Sequence, residues 1–460
     1  MTSAISVIGT GYLGATHAAC MAELGHTVIG VDSNVHKINL LRDGLAPFSE
    51  PGLADLLRTH VASGRLRFTT DIREAAEQAD MHFVCVGTPQ AASGAAADLT
   101  AVNAVVDGLA ASIRRDCLIV GKSTVPVGTA ARLRDRAAAQ VPSGVSANVA
   151  WNPEFLREGH GVEDTLSPTR LVLGVTSAGD ERLLRDVYRA VIAAGTPVHV
   201  TDLETAELAK TAANAFLAMK VSFINAMADL SDRSGADVVA LADVLGDDPR
   251  IGRAFLNAGV GFGGGCLPKD IRALAATAEA LGATDAVRLL AEVDNANIAA
   301  RERVVDAAVE LCDGDVTGQR IGVLGAAFKP RSDDVRDSPA LYVAHELHSR
   351  GAKVRVYDPE ANVNARAVRP ELRYVASPDT AARGADLLML LTDWPEFARL
   401  DPAAVAGLVK HRRIIDGRNA LDADRWTAAG WQLRAVGRGL RRVDADLPAI
   451  AEVGSALGRR

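Results

Sequence analysis

The feature that most constrains this chain is a glycine pattern, Gly9-x-Gly11-x-x-Gly14, set directly after the apolar run at 5–8 and at the start of a helical stretch from about residue 15 to 24. Glycine lacks a β-carbon, so it permits a tight turn and lets backbone N–H groups at a helix N-terminus come close to a pyrophosphate. A second apolar run at 27–32 ends in Asp32, 18 residues after Gly14. A carboxylate there can accept hydrogen bonds from both ribose hydroxyls of NAD and repels a 2′-phosphate. Strand, glycine turn, helix and strand ending in an acid together predict a dinucleotide-binding unit. Gly9, Gly11, Tyr12, Leu13, Gly14 and Asp32 are its candidate cofactor residues. Lys37 lies close enough to meet a phosphate, so NAD against NADP stays open on this count.

Further strand-like runs follow. One at 81–86 ends at Gly87-Thr88-Pro89, and another at 118–120 ends at Lys122-Ser123-Thr124. The segment 91–97 is low in complexity and reads as a mobile loop. A helical stretch spans 203–232. A second strand–turn–helix unit starts at 321–325, and the run 354–358 repeats the strand-ending-in-acid theme with Asp358. Runs at 387–391 and 414–416 add strands. This alternation predicts an α/β chain with two Rossmann-like doubly wound lobes, joined by a long central helix and a helical middle domain. The expected division is an NAD-binding lobe over 1–200, a helical central and dimerisation domain over 201–312, a second Rossmann-like lobe over 313–445, and a tail over 446–460. The second unit has Gly322 and Gly325 but no full glycine pattern. It either binds another nucleotide or only packs.

A net charge of −7 over 460 residues argues mildly against a nucleic-acid or anionic-membrane surface, which would favour a basic face, although a local basic pocket for a phosphorylated ligand remains compatible. At 48% hydrophobic and 23% charged residues, it can bury a sizeable core. Cys20, Cys85, Cys117, Cys266 and Cys312 are widely spaced, with no CxxC pair. That predicts neither a metal site nor a disulfide framework, and fits a reducing, cytoplasmic setting. The residues at 1–5 carry no basic region followed by an apolar one, so no signal peptide is expected. No apolar run reaches the roughly 20 residues needed to span a bilayer.

The most informative stretch is 259–270, GVGFGGGCLPKD. Glycines crowd one side of Cys266, so a ligand can approach the backbone closely. Pro268 suits the first turn of a helix. A thiol at a helix N-terminus gains from the dipole, with Lys269 as a second source of positive charge, so Cys266 reads as a nucleophile with a stabilised thiolate. Asp270 stands four residues on, where it can hold a water or a lysine. The other four cysteines lie in apolar patterns and read as structural.

Taken in order, GTGYLG at 9–14, STVPVGT at 123–129, NPEFLREG at 152–159, ELAKTAANAFLAMK at 207–220, GVGFGGGCLPKD at 259–270, GAAFKP at 325–330, DVRDSPAL at 334–341 and DGRNALD at 416–422 resemble the UDP-glucose dehydrogenase family across nearly the whole chain. The resemblance implies a four-electron oxidation of UDP-glucose to UDP-glucuronate with two NAD reduced in turn, and no release of the aldehyde. Cys266 would form a thiohemiacetal and then a thioester. Lys210 would stabilise the oxyanion, with Asn214 one turn on along the same helix face. Glu154 would be the acid/base carboxylate acting through a water, which Thr124 helps to place, and Asp270 would complete the hydrolytic set.

The resemblance also implies substrate contacts from Glu154, Phe155, Leu156, Arg157 and Glu158, from Lys210 and Asn214, from Asn257 to Gly263, and from Phe328, Lys329 and Arg418. Arg250 would reach the site of another subunit, which implies a homodimer or higher homo-oligomer. Thr88, Ser123, Thr124, Glu158, Lys269 and Arg336 would join the cofactor contacts. The chain departs from the commoner family pattern at Gly265, at His160 and at Gly87. Sister enzymes that oxidise GDP-mannose or UDP-N-acetyl sugars share this chemistry and are the alternative. A scaffold that has lost catalysis would lack the thiol, lysine and carboxylates found here. A simple two-electron dehydrogenase would have no use for the thiol.

Overall fold

A computed structural model describes residues 4–92 and 94–441. The expected tail at 446–460 lies outside the described residues. The chain forms two compact units. One comprises the chain up to Met219 with Gly265–Asp294 and Arg331–Asp333, and the other comprises Lys220–Gly264, Asn295–Pro330 and the chain from Asp334 onward. The helix Leu203–Ser234 and the helix Thr284–Leu311 each contribute residues to both.

The first unit is built on an eight-stranded sheet. Its strands are β1 (Ala4–Ile8), β2 (Thr27–Val31), β3 (Leu66–Thr69), β4 (Met81–Val84), β5 (Cys117–Gly121), β6 (Ala147–Trp151), β7 (Leu171–Gly174) and β8 (Val198–Thr201). The order across the sheet is β3-β2-β1-β4-β5-β6-β7-β8, parallel throughout except where β6 meets β7. The first six strands thus follow the doubly wound dinucleotide-binding order. Successive side chains on a strand point to opposite faces. Ile5, Val7, Phe83, Leu118 and Val120 enter one buried cluster, while Ile8, Val84, Ile119 and Val149 enter another. Because both faces are covered, these strands are continuous apolar runs rather than alternating ones. The loop at 91–97 is closed by a bridge between Gln90 and Ala97.

The second unit repeats the plan with β9 (Arg320–Leu324), β10 (Lys353–Tyr357), β11 (Arg373–Tyr374), β12 (Leu387–Leu390), β13 (Arg413–Asp416), β14 (Gln432–Ala435) and β15 (Gly439–Arg441), ordered β11-β10-β9-β12-β13-β14-β15. Only the β14–β15 pair is antiparallel. The two lobes share a turn. Gly9 (φ +90°) donates to the carbonyl of Val31 at 2.7 Å, and Gly325 (φ +110°) donates to that of Tyr357 at 2.7 Å. In each, an acid just past the neighbouring strand accepts from the backbone of the turn: Asp32 from Thr10 N at 2.9 Å, and Asp358 from Ala326 N and Ala327 N at 2.7 and 2.9 Å.

Candidate active site

The glycine turn fits a dinucleotide on steric grounds. A β-carbon on Gly14 would lie 1.7 Å from the carbonyl oxygen of Gly9, and one on Gly9 would come within 3 Å of Val86. A β-carbon on Gly11 would meet nothing within 4 Å, so that face of the turn is open. The helix Tyr12–Glu23 begins there with no acidic residue in its first turn, leaving its N-terminal amides free of a competing anion. Leu13 packs against the core behind the turn. Asp32 Oδ2 accepts from Thr10 and from Lys37 Nζ at 2.7 Å, so Lys37 balances this carboxylate. Burial opposes ionisation of Asp32, but Lys37 and the amides of Asn34 and Thr10 outweigh it and hold the carboxyl below its usual range. Thr88 Oγ1 donates to the Thr124 carbonyl at 2.7 Å and Ser123 Oγ to that of Val86 at 2.7 Å, which ties the loops after β4 and β5 together.

The same unit brings five of the predicted catalytic side chains together. Lys210 and Asn214, one turn apart on the helix Leu203–Ser234, are both buried. Lys210 Nζ pairs with Glu154 Oε1 at 2.9 Å. Asn214 Nδ2 donates to Asp270 Oδ2 at 2.6 Å, and Lys269 Nζ pairs with Asp270 Oδ1 at 2.6 Å. Asp270, only 1% exposed, therefore has both oxygens engaged. A recess beside it is lined by Thr124, Thr211, Lys269 and Asp270. Burial works against the Lys210 ammonium, yet the charge of Glu154, with Cys266 and Asp270 adding, raises it above the ordinary lysine range.

Cys266 caps the helix Leu267–Ala280, with Pro268 in the first turn, as the sequence predicts. Its surface reaches solvent. The expected stabilised thiolate is corrected by the structure. Desolvation, with the charge of Glu154 adding, pushes the Cys266 thiol up to about 12, against the pull of Lys210. Lys269 is spent on Asp270. Cys20, Cys85 and Cys312 are buried and Cys117 is half-buried.

Around this cluster, Glu154 Oε2 accepts from Leu156 N at 2.7 Å. Phe155 lies between the Arg170 guanidinium, 3.8 Å from its centroid, and Lys210 Nζ, 5.7 Å from it. Arg157 donates three times to Asp164. Glu158 follows, partly buried. His160 turns outward to Glu163 at 3.1 Å. On the second unit, Arg250 is exposed and paired with Asp248, Arg336 pairs with Asp334, and Asn257 accepts from Arg253. Gly263 is packed against Asp337, and Lys329 lies over the Phe328 ring. Arg418 is no surface charge. Its three nitrogens donate to the carbonyls of Leu391, Gly261 and Phe328.

Three buried charges were not singled out from the sequence. Lys122 donates to the carbonyl and side chain of Asn152, and burial lowers it to about 8. Glu207 accepts from Gly128 N and Ala130 N at 2.6 Å each, and burial raises it to about 7. Glu50 sits under the turn at 159–162. Their partners are distant in sequence, so no local pattern signals them. Among the described residues, no group of three or more His, Cys, Asp or Glu is placed to hold a metal, and no helix is long and apolar enough to cross a membrane.

Family models match in the same order as the fold. The NAD binding domain of the UDP-glucose/GDP-mannose dehydrogenase family matches residues 3–192, the central domain 204–299 and the UDP binding domain 322–423. The chain is 39% identical over 435 residues to UDP-glucose 6-dehydrogenase YwqF of Bacillus subtilis, covering 94% of this chain and 97% of that one. It is 41% identical over 440 residues to UDP-glucose 6-dehydrogenase of Rhizobium meliloti, covering 94% and 99%. Among solved structures, a UDP-glucose dehydrogenase from Pyrobaculum islandicum superposes with a TM-score of 0.87 at 39% identity, covering 92% of this chain and 96% of that one. With a glycine turn fitted to NAD and this coverage from lobe to lobe, the chain belongs to the UDP-glucose/GDP-mannose dehydrogenase family of NAD-dependent oxidoreductases.

Proposed function

We propose that this enzyme oxidises the C6 alcohol of UDP-glucose to the carboxylate of UDP-glucuronate, with Cys266 holding the intermediate between two hydride transfers. The observation that carries this reading is the joining of Lys210 to Glu154 and of Asn214 to Asp270 beside an accessible cysteine. NAD, bound at the glycine turn, supplies the hydride acceptor for each oxidation. Glu154, through a water, takes the proton of the C6 hydroxyl as the C–H bond breaks, giving the aldehyde. Once Glu154 has passed that proton through the water to solvent, the sulfur of Cys266 bonds to the aldehyde carbon and gives its own proton to Glu154, while the Lys210 ammonium stabilises the oxyanion. Loss of the second hydride turns this thiohemiacetal into a thioester. Water positioned by Thr124 and Asp270 adds to the thioester, the C–S bond breaks, and the thiol is restored.

Phe155, Leu156, Arg157 and Glu158 are proposed substrate contacts, as are Arg250, Asn257, Gly263, Phe328, Lys329 and Arg418. Arg418 acts by fixing the carbonyls at 261 and 328. Lys269 and Arg336 are proposed cofactor contacts. The site belongs to a homodimer or higher homo-oligomer. Leu208, Phe216, Phe223 and Leu230 recur every seven or eight residues on the helix Leu203–Ser234 and are exposed, an apolar stripe suited to a second copy. The exposed Arg250 suits a contact across subunits. The middle segment would be the dimerisation domain, and the setting cytoplasmic.

The test is incubation with NAD and, separately, UDP-glucose, GDP-mannose and UDP-N-acetylglucosamine, following NADH and product mass. Two NADH per UDP-glucose, with the acid as product, is the expected result. One NADH per sugar removes the role given to Cys266. Turnover of another sugar alone keeps the chemistry and moves the enzyme to a sister activity. Cys266→Ser should bind NAD normally and form no acid.

A further inference from the structure

Glu50 is a buried carboxylate, 7% exposed, lying 38 residues beyond Tyr12 and more than 100 before the segment it holds. Its Oε1 accepts from Gly161 N at 2.7 Å and Val162 N at 3.4 Å. Its Oε2 accepts from Gly159 N at 2.9 Å and from the Tyr12 hydroxyl. The same hydroxyl accepts from Gly159 N at 2.7 Å. Packing agrees with the hydrogen bonds. A β-carbon on Gly161 would meet Tyr12 Oη at 3.2 Å and Glu50 Cδ at 3.5 Å, and Gly159 turns in the left-handed region at φ +80°. One anion thus holds three backbone donors of one turn together with a side chain from the first helical turn of the cofactor site.

We propose that Glu50 is a positioning residue that locks the segment 154–161 onto the dinucleotide turn through Tyr12. This rests on the reading that Glu154 serves the chemistry and that Glu158 faces the cofactor. The segment is pinned at one end by the Glu154–Lys210 pair and at the other by Glu50. Charge-assisted bonds to backbone amides suit this role because they fix direction as well as distance. Burial, followed by the bond to Glu50, pushes the Tyr12 phenol up, so Tyr12 stays a donor across the working pH range. Glutamine at position 50 keeps the shape but turns one acceptor into a donor. Either orientation then sets N–H against N–H, at Gly159 or at Gly161.

The experiment uses the full chain with Glu50→Gln and Tyr12→Phe, and reads amide hydrogen exchange at 157–163, NADH binding by fluorescence, both KM values, kcat and Tm. We expect Glu50→Gln to speed exchange at Gly159 and Gly161 tenfold or more and to raise the NAD KM and NADH Kd tenfold or more. KM for UDP-glucose should rise less than the NAD KM, because the end of the segment at Glu154 stays held by Lys210. Tyr12→Phe should move the same readouts about threefold in the same direction. Exchange and NAD affinity within twofold of wild type in a folded Glu50→Gln overturn the proposal, as does exchange quickened across the whole first unit with both KM values rising together. If Glu50→Gln does not fold, Tyr12→Phe decides, and wild-type values there overturn it. A wild-type protein inert towards UDP-glucose sinks the proposed reaction instead, while exchange and NADH binding still test Glu50.

Discussion

Two glycines three residues apart should fail in opposite ways when replaced by alanine. In Gly14→Ala, the new methyl would sit 1.7 Å from the backbone oxygen of Gly9, a group no rotamer change can move aside. Overpacking against fixed backbone costs about 3 kcal/mol. Alanine's better helix propensity returns about 1 kcal/mol of that. The net loss of about 2 kcal/mol corresponds to a Tm lowered by roughly 4–8 °C in a unit of this size. In Gly11→Ala, the methyl meets nothing in the protein, and φ at −69° is ordinary for alanine. Its Tm should stay within about 2 °C, since the reduced entropy of the unfolded chain offsets the poorer N-cap. The methyl would instead stand where the backbone must approach a pyrophosphate. A clash of about 2 kcal/mol there weakens NAD binding about thirtyfold. Calorimetry and a titration followed by NADH fluorescence measure both quantities. If Gly11→Ala melts early yet binds NADH normally, or Gly14→Ala keeps the wild-type Tm, the assignment of the turn's inner and outer faces is wrong.

Three further outcomes follow from the geometry. With the Cys266 thiol pushed up to about 12, its alkylation by iodoacetamide in the ligand-free enzyme should rise about tenfold per pH unit from 7 to 10. Lys210→Met should slow alkylation at every pH, because the ammonium pulls the thiol down, and a plateau below pH 9 would contradict this. Arg418→Lys cannot serve three carbonyls with one planar fork, so it should destabilise the second unit by about 2–3 kcal/mol. Urea unfolding followed by tryptophan fluorescence reads this, since Trp394, Trp426 and Trp431 all lie in that unit. Phe223→Glu with Leu230→Glu should convert the oligomer to a monomer by light scattering, and an unchanged mass would remove the stripe on the helix Leu203–Ser234 from the interface.

The parts of the fold legible in the sequence are those set by local sterics and periodicity. The glycine turn, Asp32 and the apolar runs of β1, β2, β4, β5, β9, β10, β12 and β13 follow from backbone crowding and two-sided burial. The helix at 203–232 is found at Leu203–Ser234, although the first helix starts inside the glycine pattern at Tyr12 rather than near residue 15. β3, β6, β7, β8, β11, β14 and β15 escaped: polar residues interrupt β3, β6, β8, β14 and β15, β11 is only two residues long, and the apolar run of β7 was passed over. In the site, the motifs pointed to Lys210, Glu154, Asn214 and Asp270 but not to the pairing of Lys210 with Glu154 and of Asn214 with Asp270, which only the fold supplies. The state of Cys266 was misread because a helix N-terminus is visible in the sequence, whereas desolvation by burial and the nearby charge of Glu154 are not. Glu50, Lys122 and Glu207 were invisible for the same reason: a charged residue reads as surface until the fold supplies its distant partners.

The paired turns of the two lobes differ in who completes the acid. Asp32 shares its oxygens with a lysine on a flexible stem, a partner that an incoming hydroxyl can displace. Asp358, 1% exposed, accepts from four backbone amides and from the indole of Trp394, none of which can leave without undoing the lobe. With the cofactor role proposed for Asp32, loss of the first acid should register as affinity. The second is frozen, because its loss registers as unfolding. One device thus serves as a latch in the first lobe and as a keystone in the second.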